Sequence, residues 1–277
     1  GQQSIGFEAN YAYHAVNSEG HVLFSEESSL GNGLITVTQH GPWRVMLFDD
    51  IEQGIAYFNE DDGLPRADVI GFEYLRVMAA AAMAARHIAP SITSDNAALC
   101  VGLGTGALPG FIAHHFGDDL RVEVVELDPI VVRAADDALQ CRFSLARGKN
   151  AVQQQAKRTF GVTLDDAATY LRRLLTQGSG PSSLTTIFLD AYDCEGRTPT
   201  HLMEPAFLSD CKEALAPGGV LVCNLFNGAT GSRSRSSAEA FAAVLEESVG
   251  AVMSLEVPTQ EESMILMARP GPAHERP

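Results

Sequence analysis

Apolar and polar positions divide the chain into two regimes. Up to about Asp62 they describe short strands: His21–Phe24, Leu34–Thr38, Trp43–Phe48 and Ile55–Phe58 carry β-branched or aromatic residues. Breakers separate them at Glu26–Ser29, Gly31, Gly33, Gly41-Pro42 and Asp49-Asp50, and Asn59–Pro65 reads as a polar turn. From Val69 the period changes, with Tyr74, Met78, Ala81 and Ala82 on one helical face. After Pro90 strands and helices alternate. Strands are expected at 97–101, 122–127, 185–190 and 219–224, as in a parallel doubly wound sheet. Asn150–Lys157 reads as a polar helical surface or loop, and Gly178–Ser183 as a loop. Ala251–Val257 and Ser263–Ala268 read as a closing antiparallel pair. The pattern predicts a small β-domain over 1–65, a larger α/β domain over 66–268 and a disordered tail over 269–277.

Within the second regime, Leu99–Asp128 is the richest stretch. An apolar strand runs into Gly102, Gly104 and Gly106; a helical segment follows, then the strand Val122–Leu127 with a single acid near its end, Glu126. Strand, glycine turn, helix, strand and acid, in that order, are the layout of a nucleotide-binding βαβ unit. Glycines let the backbone approach a ligand that a Cβ would push away. An acid about 20 residues on can accept both ribose hydroxyls.

Ligands of an open parallel sheet collect at the carboxyl ends of the strands. Those ends carry Gly102–Gly106, then Glu126 and Asp128, then Asp165 and Asp166, then Asp190 with Asp193 three residues later, then Asn224. Asp190 follows Ile187-Phe188-Leu189, so it sits at a strand tip where a carboxylate can hold an ammonium and accept its proton. Asp193 shares that role, holds a second cationic group, or organises the loop. Of Asp165 and Asp166, one can cap the following helix while the other receives an adenine amino group. His201, after Pro199, is a candidate for the pocket wall. Cys194 adjoins Asp193, whose charge blunts it as a nucleophile.

Composition narrows the partners. Apolar content of 45% and charged content of 19% describe a globule with ample core and no membrane-spanning run. The net charge of −16 argues against nucleic acid and suits a cationic amine, small or carried by a protein. Five scattered cysteines without a CxxC or Cys/His cluster indicate neither zinc nor a disulfide framework, so no metal is expected. Buried thiols fit the cytoplasm or another reducing compartment. The first residues, GQQSIGFEAN, show no secretory pattern; without an initiator Met, they leave room for a removed transit peptide.

The chain resembles the spermidine synthase family, in the spermidine-synthase-like branch of class I S-adenosylmethionine-dependent methyltransferase-fold proteins. The likeness covers roughly residues 28–228. It rests on RVMLFDDIEQG (44–54), FEYLRVM (72–78), VGLGTGALPGF (101–111), VEVVELDPIVV (122–132), LDDAATYL (164–171), LDAYD (189–193) and PTHLMEPAFLSDCKEALAPGGVLVCNL (199–225). The resemblance implies a small N-terminal β-domain, a Rossmann-like catalytic domain with an antiparallel last strand, and frequent homodimers. It implies a sulfonium cofactor, S-adenosylmethionine or its decarboxylated form. By it, Glu126 holds the ribose, Asp166 the adenine, Asp190 is the general base, Asp193 binds amine, and Gln53 and Tyr74 line the substrate side.

Departures from the family set the alternatives. Aminopropyltransferases usually carry GGGDG where this chain has Gly102-Leu103-Gly104-Thr105-Gly106, and the early Tyr-Gln pair is replaced by Asn32-Gly33. A carboxylate at position 105 would repel the carboxylate of intact S-adenosylmethionine, whereas Thr105 tolerates it. Asn224-Leu225 also resembles the methyltransferase-like branch. The expected function is therefore alkylation of an amine, leaning to methyl transfer, with aminopropyl transfer from the decarboxylated cofactor as the alternative. A different class of reading is a catalytically inactive nucleoside-binding or assembly module, against which the retained Glu126, Asp166 and Asp190 weigh. NAD chemistry fits less well, because Gly106 leads into Ala107-Leu108-Pro109-Gly110 rather than a longer GxGxxG spacing.

Overall fold

A computed structural model describes residues 11–15, 17–88, 97–145, 159–177, 184–226, 233–257, 260 and 263–271. The first four strands, β1 (His21–Glu27), β2 (Leu34–His40), β3 (Trp43–Phe48) and β4 (Ile51–Tyr57), form an antiparallel sheet in chain order. Alternation on β2 buries Ile35 and Val37, and β3 adds Trp43, Val45, Met46 and Phe48. The β3–β4 turn places Asp49 at φ 49°, a conformation that Asp tolerates, and its carboxylate accepts the Leu34 N–H at 2.8 Å. Strand β1 extends past the expected Phe24, because Glu26 and Glu27 pair with Ile35 and Leu34 along an edge where side-chain character is unconstrained. For the same reason β4 begins at Ile51 rather than Ile55.

Helix α1 (Glu73–Ile88) turns Leu75, Met78, Ala79, Ala81 and Ala82 inward. The second sheet holds β5 (Ala97–Val101), β6 (Arg121–Glu126), β7 (Phe143–Leu145), β8 (Phe160–Leu164), β9 (Leu184–Leu189), β10 (Leu215–Phe226), β11 (Gly250–Glu256) and β12 (Ser263–Pro270). Their order is β11-β12-β10-β9-β5-β6-β8-β7, and β12 runs antiparallel to both neighbours. Helices α2 (Ala107–Phe116), α3 (Pro129–Asp137), α4 (Ala167–Gln177), α5 (Pro205–Ala214) and α6 (Arg233–Ser248) complete the alternation. All five residues of β5 are buried, as a strand covered on both faces requires. Ala98 and Cys100 join the core that also holds Ile35, Val37, Met46, Phe48 and Met78, while Ala97, Leu99 and Val101 join the opposite core with Phe207 and Leu245. The two sheets thus share one hydrophobic core. Among the described residues, no helix is long and apolar enough to cross a membrane.

Three residues of β7 pair with β8 and were too few to register as a pattern. Arg269 and Pro270, expected in the tail, instead belong to β12 and pair with Ala251 and Gly250 through backbone bonds that need no apolar side chain. Asn150–Lys157, Gly178–Ser183 and the rest of the tail from 272 lie outside the described residues.

Strand order reverses at β5: the chain continues outward to β6 and β8 on one side and later to β9 and β10 on the other. Such a switch point opens a crevice above the carboxyl ends of the strands. Asp128 closes part of its rim. Its side chain caps α3 by accepting the Ile130 N–H at 2.9 Å, and its other oxygen accepts Ser28 Oγ and Asn32 Nδ2, the latter at 3.1 Å. Only 1% exposed, it ties the β1–β2 turn to the second sheet. Replacing Asp128 by Ala is expected to cost about 2 kcal/mol, seen as a lower urea midpoint at unchanged slope. Asp128→Asn, which keeps an acceptor, should cost less.

Candidate functional site

The glycine turn after β5 has φ of 98° at Gly102, 50° at Gly104 and 71° at Gly106. A Cβ on Gly102 would stand 2.5 Å from the Asp190 carbonyl oxygen, so the turn fits against the end of β9 only as glycine. Gly102 and Gly104 line a cavity of about 140 Å³ above the strand ends. Gly106 does not. It starts α2 and packs against the Cys141 thiol on the far side of the turn.

Glu126, Thr105, Asp165, Asp166, Asp190, Asp193, Gln53, Tyr74 and His201 all line the same cavity. Like Gly106, Asp128 is absent from it, because both of its oxygens are committed to the clamp between the sheets. A larger cavity of about 530 Å³ lies behind the turn, but of the candidate residues only Thr105 and Gly106 reach it. The candidate residues therefore gather at the smaller space.

Glu126 is nearly buried, its Oε2 accepting the Leu103 N–H at 2.8 Å and its Oε1 the Asp128 N–H at 2.9 Å. Burial pushes its carboxyl above the ordinary range, while these backbone donors pull it back. Each oxygen keeps lone-pair capacity for a vicinal diol. Thr105 stands against β4: its hydroxyl contacts the Ile55 carbonyl at 3.4 Å, and a Cβ on Gly54 would lie 3.2 Å from its side chain.

Asp165 accepts the Asp166 N–H at 2.9 Å and pairs with Arg173 at 2.5 Å, which fixes it to α4. Asp166 caps α4 through Thr169 N–H at 2.8 Å, and its second oxygen meets His201 Nε2 at 2.9 Å. Burial raises its carboxyl, but the Thr169 and His201 hydrogen bonds outweigh this and hold it below the ordinary carboxylate range. His201, a candidate for the pocket wall, is thus placed at the α4 end of the cavity.

Asp190 stands half-buried at the tip of β9, on the cavity wall. Burial pushes its carboxyl up to about 6, although the Asn224 amide donates to it at 2.9 Å and opposes that rise. Asn224 was legible as a strand end but not as a partner of Asp190. The parallel register that sets Leu189 opposite Cys223 brings the next residues together. Tyr192, also missed, donates its hydroxyl to the Asn224 carbonyl at 2.9 Å and lines the cavity. Asp193 accepts the Glu195 and Arg197 N–H groups on Oδ1 at 2.9 Å and faces the Arg197 guanidinium with Oδ2 at 3.6 Å, so it shapes its loop while lining the cavity.

Among the described residues two buried side-chain polar atoms have no protein partner, Gln53 Nε2 and Asn224 Oδ1. Gln53 lines the cavity, so its free N–H suits a bound polar ligand, while Asn224 Oδ1 belongs to the side chain that holds Asp190. With the Cβ-free turn and the open capacity of Glu126, the donor set fits a nucleoside bearing positive charge. Among the described residues no cluster of His, Cys, Asp and Glu could hold a metal ion. Gly102→Ala, which forces a Cβ onto the Asp190 carbonyl at a strained φ, is expected to abolish nucleoside binding by calorimetry and to destabilise the fold by about 2 kcal/mol.

Comparison with known proteins follows the same line. No protein-family model matches the chain. A polyamine aminopropyltransferase of Vibrio vulnificus is 30% identical over 129 residues, 47% of this chain and 37% of that protein, so the match spans little more than a third of the curated relative. The crystal structure of a probable spermidine synthase from Corynebacterium glutamicum superposes with a TM-score of 0.64 at 19% identity, covering 91% of this chain and 81% of its own. Human methyltransferase-like protein 13, in complex with SAH, superposes at 0.55 with 22% identity, covering 74% and 86%. The chain is spermidine synthase-like in fold: a class I methyltransferase fold whose mostly parallel eight-stranded sheet follows a small antiparallel one of four strands.

Proposed function

We propose that the chain is an aminopropyltransferase acting on a small amine, with decarboxylated S-adenosylmethionine as donor. The observation that carries this reading is Asp190: a carboxylate held by Asn224 on the wall of an acid-lined cavity, with its pKa raised to about 6. Five acids, Glu126, Asp165, Asp166, Asp190 and Asp193, line one small space and favour cationic occupants over anionic ones. The likeness to a polyamine aminopropyltransferase supports aminopropyl over methyl transfer. Methyl transfer from S-adenosylmethionine is the second reading, favoured by the uncharged Thr105. That residue weighs less than the sequence suggested, because its side chain is spent on the seam with Gly54 and Ile55.

In this reading Glu126 accepts the ribose hydroxyls and Asp166 the base, while Gln53 and Tyr74 flank the amine. Burial, then the charge of Asp190, push the Tyr74 hydroxyl well above the ordinary phenol range, so it stays a donor. Asp190 takes a proton from the acceptor ammonium, leaving a nitrogen lone pair for attack. When bound, the sulfonium supplies an activated carbon, whose bond to sulfur breaks with both electrons moving to sulfur as the new C–N bond forms. The remaining contribution is alignment in a space with little water.

A product assay with putrescine and either sulfonium donor tests the proposal. Aminopropylated amine from the decarboxylated donor is expected; methylated amine from S-adenosylmethionine would establish the second reading, and no product from either would reject both. Asp190→Asn should lower the rate by about 10²-fold or more. Because the base works as a carboxylate whose pKa is raised, activity should fall as pH drops through about 6. Asn224 stabilises the charged form, so Asn224→Ala should move that acid limb to higher pH.

A further inference from the structure

We propose that His201 is a positioning residue that orients Asp166 to read the amino group of the cofactor's base. The inference rests on the reading above, in which Asp166 faces that base. His201 lies in the 3-10 turn Thr200–Leu202, between the Asp193 loop and α5, and both it and Asp166 line the cavity. The two are 35 positions apart in sequence and meet across the cavity at 2.9 Å, His201 Nε2 to Asp166 Oδ2. Oδ1 is already held by the Thr169 N–H. A carboxylate with one oxygen tied to its helix and the other steered by an imidazole has a single orientation, and Oδ2 keeps one lone pair for a further N–H. Without His201, Asp166 keeps its Thr169 hydrogen bonds and still caps α4, but Oδ2 loses the imidazole that steers it. Both partners are half-exposed at 46% and 32% of their side-chain surface, so the contact contributes little to stability. Its effect falls on recognition, where a fixed acceptor costs a ligand less ordering than a mobile one.

The discriminating probes are 5′-methylthioadenosine and 5′-methylthioinosine, which differ at the base position where an amino donor is replaced by a carbonyl acceptor. Calorimetry with the intact chain should show tighter binding of the amino nucleoside, by about tenfold for a hydrogen bond to a charged acceptor. In His201→Ala that ratio should collapse while the inosine Kd stays unchanged, which also reports an intact fold. His201→Gln, whose amide can place a donor near the Nε2 position, should restore most of the ratio. An unchanged ratio in His201→Ala overturns the inference, as does a wild type that does not distinguish the two nucleosides. A wild type that binds neither rejects the cofactor reading itself.

Discussion

Everything at the crevice depends on one buried carboxylate. Glu126 receives the Leu103 N–H on one oxygen and the Asp128 N–H on the other, so a single side chain joins the turn after β5 to the end of β6. Leu103 sits between Gly102 and Gly104, whose left-handed conformations aim its N–H downward into the sheet. The next residue after Leu127 is Asp128, which caps α3 and grips Ser28 and Asn32 of the first sheet. From Glu126 the order of the turn, the helix start and the position of the N-terminal sheet are all within two hydrogen bonds. A buried charge so placed must have its donors, because losing one would leave it unpaired in a low-dielectric interior.

That economy explains what could be read from the chain and what could not. The βαβ unit was legible because its signal is local: apolar run, three glycines, helix, apolar run, acid. The strand-tip acids Asp166, Asp190 and Asp193 were legible for the same reason, since each ends or follows an apolar stretch. Illegible were contacts that depend on which strands are neighbours. Asn224 meets Asp190 only because β10 lies beside β9 in parallel register, and Ser28 meets Asp128 across 100 positions of sequence. Asp128 itself shows the limit most clearly. Its place beside Glu126 suggested a ligand contact, yet its burial and three partners make it a clamp. Thr105 shows the converse, for its identity was clear while the direction of its side chain, toward Ile55, was not.

The seam between the two sheets has a second consequence. Thr105 and Gly54 touch, Gln53 lies one residue before that contact, and Asn32 links the clamp to the cavity wall. The first sheet therefore does more than cover core residues such as Ile35 and Met46. It supplies one wall of the space in which the acids stand, at a spacing set by the small side of β4.

Glu126 and Asp190 show how one environment can compensate two carboxylates differently. Both are pushed up chiefly by burial. Glu126 is answered by backbone N–H groups, which are rigid and cannot leave, so its charge is best used as a fixed acceptor. Asp190 is answered by one neutral amide, that of Asn224, on one of its oxygens. Among the described residues no second donor offsets the charge on its other oxygen, so this cavity-lining carboxylate is less fully compensated. A proton or an ammonium brought to that oxygen relieves a desolvation penalty that the protein leaves open, whereas one brought to Glu126 must compete with hydrogen bonds already made. The split in compensation, rather than any difference in residue type, is what supports the proposed division of binding to Glu126 and proton transfer to Asp190.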